Sequence, residues 1–169
     1  MSRDPYEPKI YWLPNLMTAG NLCCGFFAVL TIFKGIFEAS AGDTYDFLTA
    51  KAYYERAILL IFASCLFDLL DGRLARLGGR ESEFGREFDS LADMVSFGVA
   101  PALLAYKWAL EPLGRTGWLV AFLFVVCAAM RLARFNTQAA QSDKSYFQGL
   151  ASPAAAGTLV ATVWFFNDQ

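Results

Sequence analysis

Five long apolar runs, with charge gathered at their ends, leave this 169-residue chain few folds to adopt. A helix that crosses a bilayer needs roughly 20 mainly apolar residues, and such runs lie at about 13–36, 54–77, 85–109, 116–136 and 151–167. Hydrophobic residues make up 56% of the chain and charged residues 18%, a balance far from that of an ordinary soluble domain. Sixteen phenylalanines, four tryptophans and seven tyrosines suit lipid-facing and interfacial positions. The expected fold class is therefore all-α: a polytopic transmembrane helix bundle with five visible spans, forming one domain over residues 1–169 without repeats or low-complexity tracts. The N-terminal MSRDPYEPKIYWLPNL is polar, and the apolar run after it is too long for a signal-peptide core, so the first span is expected to be retained. The last run is short and ends at Asn167-Asp168-Gln169, so either the bundle has an odd number of spans or the chain is cut at its C-terminus.

Composition also excludes chemistry. A net charge of -2 favours no nucleic-acid partner. The chain has no histidine, which removes the commonest general base and the commonest transition-metal ligand. Cys23, Cys24, Cys65 and Cys127 sit singly or paired in apolar runs without the spacing of a zinc site or a disulfide framework, and read as small core residues. Acid–base or metal chemistry must then rest on carboxylates.

Carboxylates are concentrated in one place. Between the second and third runs, FDLLDGRLARLGGRESEFGREFDSLADMVSF (Phe67 to Phe97) holds Asp68, Asp71, Glu81, Glu83, Glu87, Asp89 and Asp93 with Arg73, Arg76, Arg80 and Arg86. The two charged helix ends meet at a short turn around Gly78 to Ser82, so both lie at one membrane face. If the N-terminus is cytoplasmic, that face also collects Arg3, Lys9, Arg131, Arg134 and Lys144, as the positive-inside rule requires, and the opposite loop presents Tyr45, Tyr53 and Tyr54 to the interface. The expected setting is the cytoplasmic (inner) membrane, with the N-terminus and the acidic cluster facing the cytoplasm.

Helical spacing puts Asp68, Asp71, Gly72, Ala75 and Arg76 along one face, and Gly85, Asp89 and Asp93 along a face of the next helix. Four carboxylates aimed at one another at membrane depth need positive compensation. Oxygen-only ligands suit hard cations, magnesium or manganese above all. Gly72 and Gly85 leave room for a ligand's phosphates to approach backbone, and Arg76 offers a guanidinium fork to phosphate oxygens. The bland alternative is that these charges cap two helices and form surface ion pairs, as Arg80, Glu81, Glu83 and Glu87 are expected to do.

The run Asp68-x-x-Asp71-Gly72-x-x-Ala75-Arg76, followed by Gly85-x-x-x-Asp89-x-x-x-Asp93, resembles the full signature of the CDP-alcohol phosphotransferases. That resemblance implies a membrane enzyme that moves a phosphatidyl-type group from a CDP-linked lipid to an alcohol and releases CMP, with two divalent metal ions. It implies metal ligation by Asp68, Asp71, Asp89 and Asp93, with Asp93 also the base for the acceptor hydroxyl, and a CDP site shaped by Gly72, Ala75, Arg76 and Gly85. Homodimerisation is typical of the family.

The segments LPNLMTAGNLCCGF (Leu13 to Phe26), MRLARFN (Met130 to Asn136) and FQGLASPAAA (Phe147 to Ala156) resemble the phosphatidylserine synthase branch, which implies CDP-diacylglycerol as donor, serine as acceptor and membrane lipids as surroundings. Two departures stand out: Gly149-Leu150-Ala151 where that branch has GLP, and five spans where six are usual. Arg131 and Arg134, at i and i+3 with Asn136 nearby, suit the carboxylate of serine or the lipid phosphate; the alternative is that both arginines anchor to headgroups. Asn15, Thr18 and Asn21 share one side of the start of the first span and suit contacts to cytidine, while Asn15 equally suits a helix cap. Competing readings keep the chemistry but change the acceptor to glycerol phosphate or an inositol compound, or make the aspartates the ligands of a cation carrier.

Overall fold

A computed structural model describes residues 12–41, 46–78, 83–138 and 150–167, and every regular element among them is helical. The order is α1 (Trp12–Ala39), α2 (Phe47–Gly78), α3 (Glu83–Asp93), a π-helical segment (Met94–Val99), α4 (Ala100–Ala105), a second π-helical segment (Tyr106–Leu110), a 3₁₀ turn (Glu111–Leu113), α5 (Arg115–Gln138) and α6 (Ser152–Asn167). From Glu83 to Leu113 the chain runs as one long helix with two widened turns. The expected turn around Gly78 to Ser82 falls between α2 and α3, with 79–82 outside the described residues.

Each of the five apolar runs of the sequence is one of these helices. Asn15–Ala39, Glu83–Leu113 and Arg115–Thr137 have both the length and the apolarity to cross a membrane. α2 has the length, 32 residues, but carries Glu55, Arg56 and Asp68, and α6 is apolar but only 16 residues long. The molecule is a polytopic helical membrane protein. Its broad apolar outer surface, including Phe26, Phe33 and Phe37 on α1 and Trp118, Phe122 and Leu123 on α5, is exposed in the way lipid contact demands.

α2 begins several residues before the apolar run that marks it, because Asp46 caps it. The Asp46 carboxylate accepts hydrogen bonds from the backbone N–H of Leu48 at 3.0 Å and of Thr49 at 3.3 Å, and from the Thr49 hydroxyl. These satisfy donors that an uncapped helix start leaves orphaned. The Asp46 N–H donates in turn to the carbonyl of Ala39, 2.9 Å away, which ties the end of α1 to the start of α2.

The two helices then run antiparallel along matched seams. Buried positions on α1 fall at Thr18, Asn21, Gly25, Ala28, Ile32, Gly35 and Ala39, and the α2 seam runs through the buried Ala50, Tyr54, Ala57, Ile61 and Ser64 and the half-buried Asp68 to the buried Asp71, with Ile58 buried beside it. Steps of three and four residues are those of a left-handed helix pair. Lipid is as apolar as leucine, so close backbone approach and polar contacts hold such seams together more than apolar burial does. Gly25 is the tightest example: a Cβ there would stand 2.2 Å from Ser96 Oγ and 2.8 Å from Ser96 Cα.

The polar half of the seam lies at the end where α2 leads into α3. The apolar half packs at the opposite end, where Ile32, Tyr54, Ile58, Ile61, Leu104, Val160 and Val163 form the core. There Gly114, at φ 55, takes a left-handed conformation open to glycine and turns the chain into α5. Two sequence readings are corrected. Tyr54 is buried in this core rather than at the interface, because it falls on the α2 seam. The cysteines are not core residues: Cys23 and Cys127 are exposed and Cys24 and Cys65 partly so, since they lie off the seams, on surface where a weakly polar thiol tolerates lipid.

Two stability outcomes follow. Gly25→Ala is expected to lower the unfolding midpoint in detergent, overpacking of this kind costing about 1–3 kcal/mol. Gly157→Ala, where a Cβ meets nothing within 4 Å, should leave the midpoint unchanged or raised. The Thr49 hydroxyl first, and then the backbone, hold the Asp46 carboxyl below its ordinary pKa. Its stabilisation is therefore present above about pH 3.9, the unperturbed value, and is lost as pH falls through the lowered folded value. Thermal unfolding against pH should show Asp46→Ala less stable than the parent at neutral pH, with the gap closing only in strong acid.

Candidate active site

The carboxylates expected from the sequence to share a site come from α2 and α3. One oxygen from each of Asp68, Asp89 and Asp93 lies within 4.8 Å of the others. Asp89 and Asp93 are one turn apart on α3 and so point the same way; Asp68 reaches them from α2. Asp93 is buried and the other two are half-buried. The negative charges of Asp68 and Asp89 act on Asp93, and the positive charge of Arg131 acts on it from α5.

Asp71 lies one turn beyond Asp68 on α2. It is buried, its charge acts on Asp68, and its Oδ2 accepts a hydrogen bond from the Thr18 hydroxyl across the α1–α2 seam. Thr18 thus supports a carboxylate, a role its sequence position alone did not indicate. Asn15 lies within the first turn of α1, which begins at Trp12, so it is not the helix cap.

The donor set fits a hard cation. Three carboxylate oxygens converge, no histidine exists in the chain, and like charges this close in a low-dielectric setting require a counter-charge. A carboxylate-rich trio of this kind can hold a metal ion.

Around the trio, the other expected residues fall into distinct places. Arg131 donates from Nη1 to Ser152 Oγ at 2.6 Å, which joins α5 to the start of α6. The Asn136 amide donates to Ser90 Oγ at 3.0 Å and to Glu87 Oε2 at 3.3 Å, so it ties α5 to α3, and Glu87 meets an amide there. Arg134 is exposed on α5, and its carbonyl accepts from the Thr137 hydroxyl at 2.9 Å. Gly72 follows Asp71 on α2 and Gly85 lies one turn before Asp89 on α3, both half-buried. The side chains of Ala75 and Arg76, and Phe147 to Gly149, lie outside the described residues.

Two hydrogen bonds add residues that spacing did not assign to the carboxylates. Asn21 Nδ2 donates to Asp93 Oδ1 at 2.9 Å, and Ser96 Oγ donates to the Asn21 carbonyl at 3.0 Å. Asn21 and Ser96 are fully buried. The signal available in the sequence was the three-and-four spacing of Thr18, Asn21 and Gly25, which puts polar and small residues on the inner seam of α1.

The sequence profile of the CDP-alcohol phosphatidyltransferases matches residues 11–168. The chain belongs to that family. Among curated members similar to it, a Helicobacter pylori CDP-diacylglycerol–serine O-phosphatidyltransferase is 43% identical over 163 residues, covering 96% of this chain and 61% of the relative. A Bacillus subtilis protein of the same name is 34% identical over 92% of this chain and 77% of its own length. A Saccharomyces cerevisiae one is 45% identical over 63% of this chain and 41% of its own. This family member thus spans 61% of the length of the Helicobacter relative. No solved structure matches it.

Metal affinity provides a direct check. In detergent, Mn²⁺ binding followed by electron paramagnetic resonance should weaken at least about tenfold in Asp68→Ala and Asp89→Ala, the loss typical when one ligand or its support is removed. Glu83→Gln, on the exposed start of α3, should bind as the parent does.

Proposed function

We propose that the protein is a CDP-diacylglycerol–serine O-phosphatidyltransferase, forming phosphatidylserine and CMP. The observation that carries the reading is the convergence of Asp68, Asp89 and Asp93 from two helices with the charge of Arg131 beside them. The family membership supports the transfer chemistry, and the names of the relatives support serine as acceptor.

Asp68, Asp71, Asp89 and Asp93 are the residues that would hold two magnesium or manganese ions. Such ions, when bound, neutralise the pyrophosphate and polarise the phosphorus under attack. Asp93 takes the proton of the serine hydroxyl as the new O–P bond forms and the bond from phosphorus to the CMP oxygen breaks. Gly72, Ala75, Arg76 and Gly85 receive the CDP portion, with the Arg76 guanidinium on phosphate oxygens. Arg131, steadied by Ser152, would neutralise the acceptor's carboxylate. Arg134 and Asn136 border the same end of α5, and Asn15 and Thr18 border the donor side on α1.

The reading sets the active site at the cytoplasmic face of the inner membrane, since Arg73, Arg86, Arg131 and Arg134 gather at the carboxylate end. It also includes a homodimer, the state typical of the family.

Reconstitution in lipid nanodiscs with CDP-diacylglycerol and one acceptor at a time tests the assignment. CMP release and phosphatidylserine formation are expected with serine and a divalent ion, and neither after chelation. Release with glycerol phosphate or inositol but not with serine would overturn the acceptor. Asp93→Asn should keep CDP-diacylglycerol binding and lose roughly 10²–10⁴-fold in turnover, the contribution of a positioned general base. Turnover near the parent's in that variant would remove Asp93 as the base.

A further inference from the structure

Asn21 occupies a place on the α1 seam where an apolar or small residue would pack without polar cost. It is wholly buried, yet it carries an amide. Its Nδ2 donates to Asp93 Oδ1 at 2.9 Å, while its Oδ1 is buried and meets no hydrogen-bond partner among the described residues. The direction of the amide is set by chemistry: facing a carboxylate oxygen, the group must present N–H and turn its carbonyl away. An amide retained for packing alone would satisfy both halves, because an unmet buried acceptor is destabilising. Here one half is left unmet and the other is spent on Asp93.

The backbone of the same residue is fixed as well. Ser96 Oγ donates to the Asn21 carbonyl at 3.0 Å. Ser96 lies one turn beyond Asp93, in the π-helical segment Met94–Val99. Gly25, one turn along α1, lets the helices approach closely enough for this contact. Asn21 therefore grips the third helix twice, by its side chain at Asp93 and by its main chain at Ser96. A carboxylate held at one oxygen by a rigid donor cannot rotate freely, which leaves the second oxygen aimed in a fixed direction.

We propose that Asn21 is a positioning residue for Asp93, orienting the carboxylate so that Oδ2 meets the acceptor hydroxyl, with Ser96 fixing Asn21 in turn. The proposal deepens the phosphatidyltransferase reading and rests on it. It differs from a contact to the CDP portion of the donor, because Asn21 acts through a carboxylate and not on the nucleotide.

The test uses the full chain in nanodiscs with Asn21→Leu, which keeps the branched four-atom outline of asparagine but has no donor, compared with Asp93→Asn and with the double variant. For Asn21→Leu, kcat is expected to fall about 10- to 10²-fold, the scale of a misplaced reacting group. KM for serine and CDP-diacylglycerol binding should each stay within about twofold of the parent. In the double variant, turnover should equal that of Asp93→Asn alone, since a residue that acts only through Asp93 has nothing left to orient. Ser96→Ala should lower kcat in the same sense but less.

Unchanged kcat in Asn21→Leu overturns the proposal. So does a loss of CDP-diacylglycerol binding in parallel with kcat, or full additivity with Asp93→Asn. Should the parent itself show no phosphatidyl transfer, it is the functional reading that fails. The positioning contact is then read from the ¹⁵N side-chain amide resonance of Asn21, which should move in Asp93→Asn and stay in Glu83→Gln. A resonance indifferent to Asp93→Asn would overturn the contact itself.

Discussion

Carboxylates that repel one another in a poorly solvated setting are the constraint around which this molecule is built. Oxygens of Asp68, Asp89 and Asp93 approach within 4.8 Å, a separation at which ionised groups need a firm scaffold and a counter-charge or proton to offset their repulsion. The scaffold is the antiparallel α1–α2 pair with the third helix pressed on it. The polar end of the α1 seam meets the acids, Thr18 at Asp71 and Asn21 at Asp93, and the apolar end meets the core around Ile32 and Ile61. One helix therefore serves two solvents' worth of chemistry along a single stripe.

This division also explains the use of small residues. Where Gly25 faces Ser96, the contact that matters is a hydroxyl reaching a main-chain carbonyl, and any side chain on α1 would force the helices apart. At the other side of the acids, Arg131 is fixed by Ser152 and Asn136 by Ser90 and Glu87. Polar side chains on the helices next to the acids are thus each restrained by a neighbour, the arrangement expected where geometry must be kept to within a fraction of an ångström.

Much of the architecture could be read from the residues alone, because in lipid the length of an apolar run translates almost directly into a helix. The run at 13–36 is α1, the run at 116–136 is α5, and the run at 151–167 is α6. The start of α2 escaped that reading because Phe47 to Tyr53 is too polar to register as a span; only the cap at Asp46 reveals it. Asp89 and Asp93 could be paired from their spacing, and Asp68 from the turn that follows its helix. The Thr18–Asp71 contact could not, since it depends on where α1 crosses α2. Asn21, Ser96 and Ser152 were similarly hidden: each gains its meaning from a residue more than twenty positions away, and local pattern carries no trace of such a partner.

The widened turn at Met94–Val99 begins immediately after Asp93, and the N–H of Ala100 reaches back to the carbonyl of Val95. A turn of this kind takes up one residue more than the α-helical turn it replaces. It acts like the slip joint in a shaft: the angular setting of Asp89 and Asp93 around the helix axis is uncoupled from that of Leu104 and its neighbours further along. The acidic half can then be aimed at its partners on α1 and α2 while the apolar half is aimed at Val160 and Ile58, without one continuous periodicity having to satisfy both.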